Sequence, residues 1–373
     1  MSHASKASFD DETVGNHNDE YAPLRAFAGE RDRTLILFDA RLVAYASHHT
    51  RDLSAGVSQT SVLHGIMHAV AGLCSSLNTR RWLLVWDGHN SAAGRRAVYK
   101  PYKIRQDRDR TDQEEAERVK LTKSIATCQS ALSSYFGAPQ LKIGNLEADD
   151  LIGYISRFAY DRLITKGVID RVVIITNDKD YYQLVKTDAV AVWRPGQQEL
   201  VTAETLRELY ELTPKQFISY KAYVGEGATG DNIPGVEGVG DTWARKFVGT
   251  HGSAVKHLAS LAKRRADGEK LTKLEAACLD QRKNLRISLS LSRIRTTLDG
   301  LQAMLHCDPK LEGQPLTPFF QNAIKADFPR QLTRALTVSR KVPDIRRALE
   351  FDDDFNFTSI DPQVWGQTVG FRL

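Results

Sequence analysis

The sequence has no apolar run approaching the ~20 residues that a membrane-spanning helix needs, and residues 1–20 are polar, with no apolar signal core. Cysteine is scarce. Cys74, Cys128, Cys278 and Cys307 are scattered with no Cys-x-x-Cys pair, which argues against a disulfide framework and a thiolate metal site. The triphosphate loop Gly-x-x-x-x-Gly-Lys-Ser/Thr, the zinc motif His-Glu-x-x-His and the nucleophile elbow Gly-x-Ser-x-Gly are all absent. A net charge of +5 over 373 residues is too slight to name a partner. With 42% hydrophobic and 26% charged residues, disorder throughout is excluded. These absences leave a soluble, non-secreted, cytoplasmic protein of a reducing compartment, large enough for two or more domains.

Charge is uneven along the chain. Residues 1–32 carry three basic and seven acidic side chains, whereas 256–286 carry nine basic and four acidic ones. Residues 1–32 also lack hydrophobic periodicity and read as a disordered polar leader. Order begins at Thr34. Three apolar runs, Thr34–Phe38, Trp82–Trp86 and Arg171–Thr176, are each followed closely by an acid: Asp39, Asp87 and Asp178. Helical stripes separate them, one through Val62, Ile66, Val70 and Leu73 and another through Leu151, Ile152, Ile155 and Phe158. Continuous apolar strands alternating with helices predict an α/β fold, a three-layer domain with a mostly parallel sheet covered on both faces. Beyond about residue 210 the texture changes. Pro214 opens a helix to about Tyr223, and a glycine hairpin, Gly235-Val-Glu-Gly238-Val-Gly240, precedes a helix from Asp241, giving a second, helical module.

In open α/β sheets, functional groups gather beyond the carboxyl ends of the strands, so Asp39, Asp87 and Asp178 are expected at one sheet edge with Asp180 two residues on. Glu147, Asp149 and Asp150 open a helix, where carboxylates interact well with the free amides. Each acid alone reads as a cap, a turn residue or a solvated charge. Together they would repel one another and raise each other's pKa unless hard cations neutralise them. Oxygen ligands without Cys or His clusters select Mg²⁺ or Mn²⁺. Paired divalent ions bridged by carboxylates are a recurrent solution for phosphodiester hydrolysis, one generating the attacking hydroxide and both stabilising charge.

After Asp87, residues 88–105 interleave basic groups with Tyr99 and Tyr102, a texture suited to nucleic acid, with Lys100, Lys103 and Arg105 for phosphates and rings for unstacked bases. Residues 225–230 match Gly-x-Gly-x-x-Gly, but they follow a helix rather than a strand, so a dinucleotide site is rejected. The hairpin amides at Gly235, Gly238 and Gly240, with Arg245 and Lys246 on the next helix, suit a backbone phosphate; a purely structural tight turn is the alternative.

These segments resemble the 5′ nucleases: bacteriophage 5′–3′ exonucleases and flap endonucleases, and the 5′-nuclease domain of bacterial DNA polymerase I. The resemblance rests on Phe38-Asp39, Trp86-Asp87-Gly88, Tyr102-Lys103, Glu147-Ala-Asp-Asp150-Leu-Ile-Gly153, Thr176-Asn-Asp-Lys-Asp180 with Gln183-Leu-Val185, and Asp231-Asn-Ile-Pro-Gly-Val-Glu-Gly-Val-Gly240, in family order over roughly 33–295. It implies a PIN-like catalytic domain over 33–210 with a helical gateway or arch at about 88–125, a helix-three-turn-helix DNA-binding domain over 211–300, and an extension of unknown role over 301–373. It implies two Mg²⁺, with Mn²⁺ substituting, held by Asp39, Asp87, Glu147, Asp149, Asp178, Asp180 and Asp231, with Asp150 a ligand or close neighbour. Lys103 and Arg95, or Arg96 in an alternative spacing, would contact the scissile phosphate. A monovalent cation such as K⁺ would sit at the glycine hairpin.

Two departures from the family pattern stand out. Glu226, five residues before Asp231, replaces the family's penultimate aspartate and is expected to ligate the second metal. Lys103 is followed by Ile104-Arg105, leaving the later arginine role to Arg105 or Arg108. The resemblance thus implies a monomeric nuclease of replication or repair acting on flaps, nicked or gapped DNA with a free 5′ end and RNA primers on DNA, alongside replication proteins. A branched-DNA-binding protein without cleavage and a related ribonuclease are the alternatives.

Overall fold

The computed structural model describes residues 20–29, 32–50, 54–55, 58–59, 61–104, 111–134, 138–227 and 230–305. Six strands build the main sheet: β1 (Thr34–Asp39), β2 (Arg81–Trp86), β3 (Gln140–Lys142), β4 (Arg171–Ile175), β5 (Val190–Arg194) and β6 (Glu199–Val201), in spatial order β3-β2-β1-β4-β5-β6. All neighbouring pairs are parallel except β5 with β6. Alternate residues of the central strands feed two cores. Leu35, Leu37, Leu83, Val85, Val172 and Ile174 face one, and Ile36, Phe38, Trp82, Leu84, Val173 and Ile175 face the other. Burial on both faces explains why these strands read as uninterrupted apolar runs.

Helices Ala40–Thr50 and Ser61–Ser76 lead from β1 to β2. Helix Ala148–Phe158 follows β3 and continues as a π-helical turn over Ala159–Ile164. The first core runs without a break into the helical region, where Phe217, Tyr223, Val236, Phe247, Leu261 and Leu285 belong to the same cluster as the sheet residues. The two expected units are thus packed together. Helix Pro214–Val224 begins at a capping box in which Gln216 accepts the Thr213 amide at 2.8 Å, and it ends at Gly225. The next helix, Asp241–His251, starts at the end of the glycine hairpin.

Part of the expected leader is ordered. Ala22–Ala28 forms a helix, starting at Pro23 in its first turn, that buries Leu24 and Ala28 in the second core, and Tyr21 lies 5.9 Å from the Trp193 ring. Polar residues flanking this short apolar stripe mask it in sequence. Residues 1–19 and 30–31 lie outside the described residues, as do 105–110 of the gateway and 306–373 of the C-terminal extension. Leu298–Leu305 forms a helix that packs Leu301 and Met304 into the first core, so residues 301–305 of that extension belong to the folded body. Among the described residues, no helix is long and apolar enough to cross a membrane.

Candidate active site

The parallel order of β1, β2 and β4 brings their carboxyl ends to one edge. There Asp39 closes β1, Asp87 follows β2, and Asp178 follows β4 after two residues. Asp87 accepts the Ala148 amide at 2.9 Å, which joins the end of β2 to the start of the helix carrying Asp149 and Asp150. Gly88 is obligatory at this point, because a β-carbon there would lie 1.8 Å from the Ile143 carbonyl oxygen. Asp178 caps a 3₁₀ turn by accepting the Asp180 amide at 2.8 Å, which keeps both acids at the same edge. Tyr181 marks the convergence. Its phenol sits 3.5 Å from Asp39, and burial, followed by the charges of Asp39, Asp149, Asp178 and Asp87, raises its pKa well above the usual phenol range.

The helical region closes the other side. The Tyr102 hydroxyl donates to Glu147 and, at 3.0 Å, to Asp231, while the Lys103 ammonium pairs with Glu147 and lies 3.4 Å from Asp231. Lys221 lies 2.8 Å from Asp180 and 3.7 Å from Glu226. Glu226 also feels Asp231 and Asp180, so the longer loop still delivers its carboxylate to the cluster. Gly225 turns the chain here with φ +67°, and a β-carbon on it would meet the Gly235 amide nitrogen at 2.6 Å, so the two glycines let the loop and hairpin backbones touch.

Arg95 lies within the cluster. Its guanidinium is buried, ion-paired to Glu147, and hydrogen-bonded to Asp149 at 2.9 Å and Asp150 at 3.0 Å. Burial alone would lower its pKa, but the three carboxylates hold it well above the ordinary value and fully charged. Burial likewise opposes ionisation of Glu147, yet Arg95 and Lys103 pull its pKa below the usual range. Asp149 is pushed up by burial against the pull of Arg95.

The β1–β4 side is less well compensated. Loss of hydration and the Asp87 charge raise Asp39 to about 6. Loss of hydration and Asp180 raise Asp178 to about 7. Arg41 reaches Asp87 at 3.2 Å from the exposed side. The carboxylates at this edge therefore outnumber the cations that pair them. An all-oxygen donor set with protons retained at near-neutral pH for lack of counter-charge fits hard divalent cations. Glu147, Asp149 and Asp150 each place an oxygen within 4.8 Å of the others, but Arg95 already contacts all three, so the least compensated donors are Asp39 and Asp178, with Asp87 paired only to exposed Arg41, and with Asp180, Glu226 and Asp231 beside them.

Several expected roles change. Arg95 is enclosed by carboxylates and cannot, as placed, face a phosphate. Arg96 donates to the carbonyls of Tyr102 at 3.0 Å and Lys103 at 3.2 Å, and so holds the turn on which Lys103 adopts φ +55°. Asp150 is fully buried, turned toward Arg95 and the Arg295 amide, which places it behind the cluster as a neighbour. Tyr102, 2% exposed, cannot stack on a base, and Tyr99 packs partly buried beside it. Gly235 is buried with its amide given to the Ser288 hydroxyl at 2.9 Å, so it shapes the hairpin and offers no donor to a ligand. Gly238 and Gly240 are exposed, as are Lys100 and Lys246, and Lys246 lies over the exposed Trp243 ring. Arg245 is engaged by Asp241 at 2.6 Å. Arg105 and Arg108 lie outside the described residues.

The family described as 5′-3′ exonuclease, N-terminal resolvase-like domain matches residues 34–211. Residues 34–211 belong to the 5′-3′ exonuclease family. The chain is 36% identical over 167 residues to the thermostable DNA polymerase I of Thermus thermophilus, a match covering 45% of this chain and 18% of that protein. It is 27% identical over 331 residues to DNA polymerase I of Streptococcus pneumoniae, covering 86% of this chain and 34% of that one. The chain thus matches about a fifth to a third of the length of these polymerases. A 5′-3′ exonuclease of Buchnera aphidicola is 28% identical over 213 residues, covering 56% of this chain and 68% of the relative. In fold, the bacteriophage T5 5′-exonuclease with bound zinc superposes with a TM-score of 0.61 at 19% identity, covering 82% of this chain and 98% of that one. The T5 flap endonuclease in a complex with DNA and metal ions gives 0.61 at 18% identity, covering 82% and 99%.

The 5′-3′ exonuclease domain ends before Lys221, Glu226 and Asp231, so the helical region completes the acidic edge that the domain begins. Tyr181, Lys221 and Arg41 escape sequence reading because an aromatic in a 3₁₀ turn and solitary cations on helices carry no spacing signal.

Two outcomes follow for the metal-free protein. Arg95→Met leaves three carboxylates without their buried cation and is expected to cost about 3–5 kcal/mol in urea unfolding with EDTA present; an unchanged midpoint would contradict the pairing. Because folding raises Asp39 and Asp178 above the ordinary 3.8, the folded chain binds more protons than the unfolded one up to about pH 7, and their contribution to stability falls as pH rises through that window. In EDTA, Asp178→Asn should therefore melt higher than the parent at about pH 8 and converge with it at about pH 4. A difference independent of pH would contradict this.

Proposed function

We propose that this protein is a divalent-metal-dependent 5′ nuclease that hydrolyses phosphodiesters of DNA bearing a free 5′ end, acting as exonuclease and flap endonuclease and leaving a 5′-phosphate. The observation that carries the reading is the excess of carboxylates over cations at one sheet edge, beside the Lys103 turn. Divalent cations, Mg²⁺ with Mn²⁺ as substitute, would be held by Asp39, Asp87 and Asp178 on one side and Asp180, Glu226 and Asp231 on the other, and would supply Lewis-acid activation and charge neutralisation for phosphodiester hydrolysis.

The chain's own residues do the rest. Lys103 is partly exposed, charged and fixed at the rim by its backbone N–H, which donates to the Asp231 carbonyl at 3.0 Å, so its ammonium is poised to swing from Glu147 and Asp231 to an incoming phosphate oxygen. Arg95 orients Glu147, Asp149 and Asp150 and favours the ionised form of Glu147 when no other cation is present. The short helix Ala93–Val98 and the exposed polar start of helix Asp112–Ser134 are the described parts of the stretch that would serve as a gateway for the 5′ strand. At the hairpin, exposed Gly238 and Gly240, with Lys246 on the following helix, suit a duplex phosphate, and K⁺ at that turn belongs to the same reading. Branched or nicked DNA, RNA primers annealed to DNA and replication proteins are the proposed partners of a monomer.

On a 5′-flap duplex labelled at its 3′ end, Mg²⁺-dependent cleavage near the junction is expected, abolished by EDTA. Lys103→Ala should lower the single-turnover rate at saturating Mg²⁺ about a hundredfold or more while leaving flap binding in Ca²⁺ within a few-fold. Tight flap binding without product at any Mg²⁺ or Mn²⁺ concentration would favour a DNA-binding protein that does not cut, and cleavage confined to single-stranded RNA would favour a ribonuclease.

A further inference from the structure

Residues 291–305 lie outside the matched family segment, yet they contact three of the elements that carry the acidic edge. The Leu291 carbonyl accepts Arg95 Nε at 3.1 Å. The Arg295 amide donates to Asp150 Oδ1 at 2.7 Å. Between these points the chain is non-helical, and Ile294 is buried where a side chain on Gly153 would stand, 2.4 Å from a β-carbon built there. Met304 then seats against Gly94 on the short helix that carries Arg95.

The third tie runs through Gln183. Its Nε2 donates to the Asp180 carbonyl at 2.8 Å and to the Ser292 carbonyl at 2.8 Å, and its Oε1 accepts the Ile294 amide at 3.0 Å. Two carbonyls need donors and one amide needs an acceptor, so only one orientation of the carboxamide satisfies all three. No other natural side chain of that length supplies both donors and the acceptor.

We propose that Gln183 is a positioning residue that clamps the Asp178–Asp180 turn to the 291–297 strap, and that the strap in turn fixes Asp150 and Arg95, so that the spacing across the acidic edge is set from outside the family domain. The inference rests on the proposed divalent-metal dependence. It assigns Gln183 no contact with substrate. Its effect is on where the carboxylates stand before a metal arrives, and groups holding ligands in this way typically govern about 10–100-fold of metal affinity.

The test uses the full chain with Gln183→Met, which keeps length and loses all three bonds, and Gln183→Ala, which leaves room for water. Mn²⁺ binding is measured by electron paramagnetic resonance without DNA, flap affinity is measured in Ca²⁺, and single-turnover cleavage is followed across Mg²⁺ concentrations. Both variants should bind Mn²⁺ about tenfold more weakly and need correspondingly more Mg²⁺ for half-maximal rate, with the rate at saturating Mg²⁺ and the flap affinity within a few-fold of the parent. Unchanged Mn²⁺ affinity, a rate loss that saturating Mg²⁺ does not recover, or failure of both variants to fold would overturn the proposal, the last by making Gln183 a residue of the fold alone. Failure of the parent to bind Mn²⁺ or to cleave would instead sink the nuclease reading beneath it.

Discussion

Like charges gathered at one edge of a parallel sheet have to be neutralised, and most of the architecture around this edge serves that need. Parallel strands aim Asp39, Asp87 and Asp178 the same way, and the helix beginning at Ala148 adds Asp149 and Asp150. Withdrawn from water, such groups either keep their protons or acquire cations. Both responses occur here. Arg95 sits among Glu147, Asp149 and Asp150 and, with Lys103, holds Glu147 below the usual carboxylate range, whereas burial still raises Asp149 and Asp150, and raises Asp39 and Asp178 to about 6 and about 7. The buried pair is a poor source of net stability, since desolvation offsets much of the attraction. Its value is in orienting an acidic trio and keeping Glu147 ionised.

The helical region belongs to the same electrostatic unit. Lys103 and Tyr102 tie Glu147 to Asp231, and Lys221 ties Asp180 to Glu226, so two carboxylates of the acidic edge, Glu226 and Asp231, and the cation Lys221 come from residues after the matched family segment. A single apolar cluster joins sheet and helices, which fixes the distance between these halves to the precision of core packing. The strap from Leu291 to Met304 adds a second brace from the opposite direction.

Much of this was legible in the sequence. Apolar runs ending in acids announced the three central strands and their common edge, because burial on both faces leaves a run without polar interruption. Glu147-Ala-Asp-Asp150 announced a helix start, and Pro214, Gly225 and Gly235–Gly240 bounded the helical region, because these residues have strong local backbone preferences. The edge strands Gln140–Lys142 and Glu199–Val201 were too short to give a period, and helix Ala22–Ala28 was hidden by the polar residues around it. Roles were harder to read than positions. Arg95, Arg96 and Tyr102 lie where basic and aromatic spacing suggested a nucleic-acid surface, but they turn inward, since only tertiary contacts decide which side of a six-residue helix meets the acids. Glu226 shows the opposite case: a changed loop length still brings its carboxylate beside Asp180 and Asp231.

The central claim is that the carboxylates at this edge, which outnumber the cations paired to them, are a divalent-metal site. It is tested most directly by anomalous diffraction from crystals of the full chain soaked in Mn²⁺. The account predicts manganese peaks touching oxygens of Asp39, Asp87 or Asp178 on one side and of Asp180, Glu226 or Asp231 on the other, with Arg95 still paired behind them. A soaked crystal with no manganese at either group would contradict it, and would leave the side chains of Arg41, Arg95, Lys103 and Lys221 to neutralise this edge.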